Sequence, residues 1–331
     1  MKAAFFNNTP EIIEKVYGMG TKERIKDLTN LYSEIVTEAN FNEHAENMKD
    51  LDVIFSTWGM FALSDEQIKK MPNLKFIFYA ASSVQSFAKA YMKHGVRIMS
   101  AWAANAVSVA EFALAQILLA NKGFFSNILT SKDPSARTNY NSEYYRGNYE
   151  QTVALLGCGQ VGKKLIELLK PFRLHILIYD PYVSENQAKM LGARKITLEE
   201  AFEKADVVSN HMPDLEATRQ IITGAHFDSM RKGGTFINTG RGRTVAEDEM
   251  IAVLQKRPDL IAVLDVTWPE PPAEGSELYN LKNVFLTNHI AGSIGNEVVR
   301  MADYCIDEYL RFKKGEPLRY EVTEEMLKTM S

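Results

Sequence analysis

The feature that most limits what this 331-residue chain can fold into is a set of three glycines near its middle. Gly157, Gly159 and Gly162 fall at G-x-G-x-x-G spacing in "VALLGCGQVGKKL". That spacing suits a strand ending in a tight turn at Gly157, a backbone at Gly159 that a pyrophosphate can approach, and a helix seated close to the sheet at Gly162. The helix N-terminus then offers unpaired amides and partial positive charge to phosphate. Alone, the spacing is a weak signal, but its context is specific. An apolar strand precedes it, "KKLIELLKPF" follows as an amphipathic helix, and "HILIYD" ends a second strand at Asp180. An acid there can accept hydrogen bonds from an adenosine ribose, although a turn former before Pro181 is the plainer reading. It also repels a 2′-phosphate, and "DPYV" carries no Arg or Lys, so NAD is favoured over NADP.

A chain of this length exceeds one ordinary core, and two domains are expected. Apolar residues make up 46%, charged ones 24%, and the net charge is -4, the profile of a soluble globular protein. No Lys/Arg-rich stripe marks nucleic acid or an anionic membrane as a partner. The opening "MKAAFFNNTP" lacks the apolar core of a signal peptide, and the apolar run Phe112–Ala120 is too short to span a bilayer. Cys158 and Cys305 make no disulfide framework and have no metal-ligand spacing, so no metal is expected. A cytoplasmic protein with reduced thiols follows.

Strand-like and helix-like segments alternate along the chain, which implies parallel sheets covered on both faces. In the first part the strands are "KAAFF", Leu51–Ser56, Leu74–Ala80 and Val96–Ala101, with a capping box at Ser64 and Gln67. This unit has no glycine-rich loop. "NAVSVAEFALAQILLANKGFF" reads as one long buried helix, Asn105–Phe125. Residues 126–150 turn polar and Tyr-rich (Tyr140, Tyr144, Tyr145, Tyr149) and are expected to pack on the body or on a second subunit. About six strands then follow, at Val153–Leu156, His175–Tyr179, Val207–Asn210, Thr235–Asn238, Ile261–Asp265 and Val284–Thr287. That suits a doubly wound dinucleotide fold, with a last helix at Asn296–Lys313.

Hydride transfer to a carbonyl needs a general acid and a cation that orients and polarises the substrate. Three consecutive strands deliver such groups to one rim. Arg241 follows the fourth, Asp265 ends the fifth with Glu270 shortly after, and His289 follows the sixth. An imidazole beside a carboxylate keeps a raised proton affinity, which suits a donor at neutral pH. Singly, each has a plain reading as a surface, loop or turn residue. Their joint placement is what points to catalysis, and Arg243 is assigned to solvent or a surface pair.

With these segments in order, the chain resembles the D-isomer-specific 2-hydroxy acid dehydrogenases. The matching stretches are "SVAEFALAQIL", "VALLGCGQVGKKL", "ADVVSNHMP", "FINTGRGRTV", "LDVTWPEPP" and "NHIAGS". The resemblance implies two Rossmann-like α/β domains with doubly wound parallel sheets. An NAD-binding domain, 102–292, is inserted into a smaller flavodoxin-like substrate domain, 1–101 plus 293–331. It explains why the glycine loop lies mid-chain.

The resemblance further implies that His289 is the acid/base, that Glu270 holds its imidazole, and that Arg241 binds the substrate. It places a substrate carboxylate at Ser82, Ser83 and Val84. Cofactor contacts fall at Gly157, Gly159, Gln160, Val161, Gly162, Asp180, Met212, Pro213, Thr239, Gly240, Asp265 (at the carboxamide), Gly292 and Val109. It also implies a homodimer, through the long helix and the Tyr-rich stretch. Three positions depart from the family pattern: Ser83 stands where Gly is usual, Gln85 where Asp often follows, and Asn288 where Pro precedes the His. Ser83 either narrows the carboxylate site or adds a hydroxyl contact. Trp58 and Trp102 follow strands of the first domain, and Trp58 in the pocket would favour an apolar or flat substrate side chain. No Lys/Arg cluster there suits a phosphate, and no C-terminal regulatory domain is expected. The leading expectation is NAD-dependent interconversion of a 2-keto acid and a D-2-hydroxy acid. Its alternatives are an NAD(H)-sensing, corepressor-like binding module and a dehydrogenase of a non-acid substrate.

Overall fold

The computed structural model describes residues 1–131 and 147–328. The chain divides into two compact units, Met1–Asn105 with Ser293–Ser331, and Ala106–Gly292.

In the first unit, five parallel strands are β1 (Lys2–Phe6), β2 (Asn30–Val36), β3 (Val53–Ser56), β4 (Phe76–Tyr79) and β5 (Arg97–Ser100). Their order, β2-β1-β3-β4-β5, is that of flavodoxin-like sheets. Apart from Lys2 and Ser56 at their ends, the inner strands are apolar because both faces are covered. Ala4, Phe6, Ile54 and Ile77 enter one core, and Ala3, Phe5, Phe55 and Phe78 the other. The helix Glu297–Lys314 returns from the far end of the sequence and lays Met301, Cys305, Ile306 and Tyr309 on the second face. Sequence pattern does not reveal β2, an edge strand in which only Val36 is buried and polar side chains interrupt the apolar run. The Ser64–Gln67 capping box forms with both of its hydrogen bonds.

The second unit has seven parallel strands: β6 (Tyr149–Leu156), β7 (Arg173–Tyr179), β8 (Arg194–Lys195), β9 (Val207–Asn210), β10 (Thr235–Asn238), β11 (Ile261–Leu264) and β12 (Val284–Leu286). Their order is β12-β11-β10-β9-β6-β7-β8, the doubly wound dinucleotide order with a seventh strand beside the sixth. The expected six become seven because β8 is a two-residue edge strand with no apolar run to announce it. The connections reverse direction between β6 and β9, so the loops after these strands open a crevice where ligands bind in such sheets.

The long helix spans Trp102–Asn121, not Asn105–Phe125, because Gly123 adopts a left-handed φ of 65° and a second helix, Phe124–Thr130, begins. At 20 residues it is long and apolar enough, by length and composition, to cross a membrane, which the shorter apolar run did not suggest. Its Ala104, Ala110, Ala113 and Ile117 are fully buried. Tyr140, Tyr144 and Tyr145 lie outside the described residues, and Tyr149 begins β6 and is exposed.

Candidate active site

Each glycine of the loop after β6 has its own physical requirement. Gly157 turns with φ +92, and a Cβ there would sit 3.1 Å from the His211 carbonyl oxygen. A Cβ on Gly162 would stand 2.3 Å from the Gly157 oxygen, so only glycine lets the helix Gln160–Leu169 approach the turn. At Gly159 nothing lies within 4 Å of an added Cβ. Space beside the backbone and a helix start without a side-chain cap suit a pyrophosphate, with Gln160 and Val161 supplying first-turn amides.

Asp180 closes β7 beside this loop. Its Oδ2 accepts from the Cys158 amide at 2.7 Å and its Oδ1 from the Tyr182 amide at 2.8 Å. The turn-forming role is therefore real, and each oxygen retains a lone pair for a ribose hydroxyl. Asp180, Gly159 and Cys158 line a cavity of about 440 Å³ with Lys163, Tyr182 and Met190. Lys163 escapes a reading of the residues next to Asp180 because it reaches the cavity from the neighbouring helix.

After β9 and β10, Met212 is buried, Pro213 and Thr239 are largely buried, and the His211 imidazole bridges Ser209 Oγ (3.0 Å) and Thr239 Oγ1 (2.9 Å). Burial pulls the His211 pKa down to about 4, so its ring is neutral at pH 7. Gly240 backs onto Met212, whose oxygen would be 2.8 Å from a Cβ. Val109 is buried on the long helix.

Arg241 follows β10 through a pinned turn. Its carbonyl oxygen accepts from Thr244 Oγ1 at 2.7 Å, and its Nη1 donates to the Gly240 oxygen at 2.8 Å. Burial lowers the pKa of its guanidinium, while the nearby carboxylates of Glu270 and Asp214 raise it.

His289 sits on the loop after β12 in the left-handed region, with φ +54. For a residue with a Cβ this conformation costs about 1 kcal/mol and persists only where neighbours impose it. Here Asp265 imposes it. Its carboxylate accepts from Thr287 Oγ1 (2.6 Å), the Ile290 amide (2.8 Å) and the Ala291 amide (3.0 Å), and its carbonyl oxygen from the His289 amide (3.1 Å). Asp265, expected at the carboxamide, is thus buried and anchors the histidine loop, a role that no spacing in the sequence signals. The imidazole Nδ1 meets Glu270 Oε1 at 2.6 Å. With Nδ1–H donating to that carboxylate, Nε2 is left to exchange a proton with a substrate. The structure brings His289 and Glu270 into contact and places the Arg241 guanidinium within electrostatic reach of Glu270. Gly292 ends the same loop.

In the first unit, Ser82, Ser83 and Val84 follow β4, and Trp58 follows the adjacent β3. Among the described residues, no group accepts from the amides of Ser82, Ser83 or Val84. Trp58 is 39% exposed, whereas the Trp102 ring packs edge-on to Tyr320 at 6.0 Å.

Residues 119–291 match the model of the D-isomer specific 2-hydroxyacid dehydrogenase NAD-binding domain. The Bacillus subtilis protein YoaD is 30% identical over 70% of this chain and 68% of its own length. D-3-phosphoglycerate dehydrogenase of Archaeoglobus fulgidus is 28% identical over 78% of this chain but 49% of its own length. The chain spans about half the length of the phosphoglycerate dehydrogenases it matches first. A phosphoglycerate oxidoreductase from Rhizobium etli shares the fold, with a TM-score of 0.81 at 20% identity, covering 98% of this chain and 99% of that one. The chain belongs to the D-2-hydroxyacid dehydrogenase family. Its cofactor is NAD.

Proposed function

We propose that this chain interconverts a 2-keto acid and a D-2-hydroxy acid with NAD. The observation that carries the reading is the Glu270–His289 hydrogen bond at 2.6 Å, in the unit that holds the glycine loop, with the Arg241 guanidinium within electrostatic reach. The glycine loop and Asp180 would hold NAD, whose chemistry there would be to supply or accept the hydride. His289 gives a proton to the carbonyl oxygen in reduction and takes it back in oxidation. Glu270 fixes the imidazole tautomer and stabilises its charged form. Arg241 binds the carboxylate and polarises the carbonyl. We place homodimerisation at the end of the long helix and the start of the next, which carry exposed Leu119 and Phe124.

The test is NADH oxidation with pyruvate, glyoxylate, hydroxypyruvate, phenylpyruvate and branched keto acids. At least one should turn over. His289→Ala should lower kcat/KM by about 10²–10⁴-fold, and Arg241→Ala should remove about 3 kcal/mol of transition-state stabilisation. NADH binding without turnover of any of these acids would overturn the enzymatic reading in favour of a nicotinamide-sensing module.

A further inference from the structure

The loop that carries Glu270 is braced from the segment that carries Arg241. The Arg243 guanidinium carbon stands 4.1 Å above the centroid of the Trp268 ring, two residues before Glu270. The other end of the brace is Asp214, whose Oδ2 lies 3.4 Å from Arg243 Nη1. Glu247 Oε2 accepts from the Trp268 amide at 3.0 Å, and Thr267 Oγ1 donates to the Pro269 oxygen at 2.8 Å. Between these contacts the two backbones touch, since a Cβ on Gly242 would stand 2.0 Å from the Thr267 oxygen.

A half-exposed cation–π pair contributes little to stability, about 0.5–1 kcal/mol. Its geometric effect is larger. Trp268 is 49% exposed, and the Arg243 guanidinium covers one face of its ring. Fixing the ring adds a side-chain anchor to the backbone anchors on the segment leading to Glu270, and a hydrogen bond of 2.6 Å tolerates little displacement. Arg243, two residues from Arg241, thereby ties the position of the carboxylate to that of the substrate-binding guanidinium.

We infer that Arg243, stacked on Trp268, is a positioning residue that holds Glu270 against His289. This rests on the acid/base reading of that pair. Arg243 touches no reacting atom in this role. The charged groups around Glu270 are His289 and Arg241, with Asp214 and Glu247 at the two ends of the brace.

The test is a kinetic cycle on the full chain with a keto acid that turns over. Arg243→Ala should lower kcat/KM about tenfold, mainly in kcat, with NADH affinity unchanged. Arg243→Lys, which keeps a cation over the ring, should recover most of the rate. Trp268→Ala is the second variant, and it should reproduce the loss in kcat. In a Glu270→Gln background, Arg243→Ala should cost nothing more. Effects that multiply in that background, or a loss that falls on KM rather than kcat, overturn the positioning role. If Glu270→Gln alone leaves the rate unchanged, the acid/base reading itself fails, which separates the two outcomes.

Discussion

The two units carry the same kind of parallel doubly wound sheet, yet they treat the first strand-to-helix turn in opposite ways. In the second unit the turn after β6 is Gly157–Cys158–Gly159, with open space beside Gly159 and a ten-residue helix that starts without a side-chain cap. In the first unit the turn after β1 is filled by Asn7, which is fully buried. Asn7 Oδ1 accepts from the Thr9 amide at 2.7 Å, and its Nδ2 donates to the oxygens of Trp58 (2.7 Å) and Thr57 (3.3 Å) after β3. The helix that follows, Pro10–Val16, starts with a proline that has no N–H to offer. Asparagine thus spends its donors and acceptor on the protein where glycine leaves them for a ligand. A parallel sheet with a crevice is not sufficient for phosphate; the crevice must also be vacated by side chains.

The sharpest way to break this contrast is to add a single carbon to each glycine. Gly162→Ala forces Cβ to 2.3 Å from the Gly157 oxygen, so the turn must move. Overpacking of this kind costs about 1–3 kcal/mol, and NADH affinity should fall by more than the stability loss alone predicts, because the displaced turn is the binding surface. Gly159→Ala meets nothing within 4 Å. Its thermal midpoint without cofactor should equal that of the unsubstituted protein, while its NADH affinity drops. Equal affinities for Gly159→Ala and the parent would show that the phosphate does not sit at this turn.

Asn7→Ala is the converse experiment in the first unit. It strips partners from the Thr9 amide and from the Thr57 and Trp58 oxygens in a buried turn. Leaving such groups unsatisfied costs about 1–3 kcal/mol. Chemical denaturation should register that loss, and NADH affinity should be unchanged. A variant as stable as the parent would mean that Asn7 is replaceable by water and that the contrast between the two turns is incidental.

What sequence could reveal follows the same physics. Strands buried on both faces are continuous apolar runs, so β9, β10 and β11 are legible almost to the residue and β3 and β4 to within two residues at each end. The edge strands β2 and β8 are not, since β2 alternates with polar side chains and β8 holds two charged ones, whereas the edge strands β5 and β12 keep an apolar run that announces them. Arg241, Glu270 and His289 are legible because each follows a strand at the ligand-binding end of the sheet. The groups that aim them are hidden. Asp265 anchors a loop more than twenty residues further along, and Arg243 meets Trp268 only after the intervening helix and β11 have folded. From sequence Arg243 therefore reads only as a solvent-facing or surface-paired charge, and the pair with Asp214 forms while the Trp268 contact goes unsignalled.

The smallest expected effect again separates the two crevices. The residue after β3 is Thr57, whose hydroxyl donates to the Ala80 oxygen at 2.7 Å and carries no titration near neutrality. Its counterpart after β9 is His211, whose pKa burial lowers from 6.5 to about 4. Between those values the unfolded chain binds a proton that the folded unit resists. The stabilisation is therefore complete above pH 6.5 and is lost as pH falls toward 4. Full resistance would correspond to about 3 kcal/mol. Ser209 and Thr239 can both accept from an imidazolium, which reduces the expected loss to about 1–2 kcal/mol. In thermal scans from pH 7 to 4.5, the parent should lose a few degrees more than His211→Gln, about 2–4 °C per kcal/mol. Carboxylates and the other histidines titrate equally in both proteins, so the difference isolates His211. Parallel curves would mean that the imidazole is solvated at the crevice and that the two turns respond to acid alike.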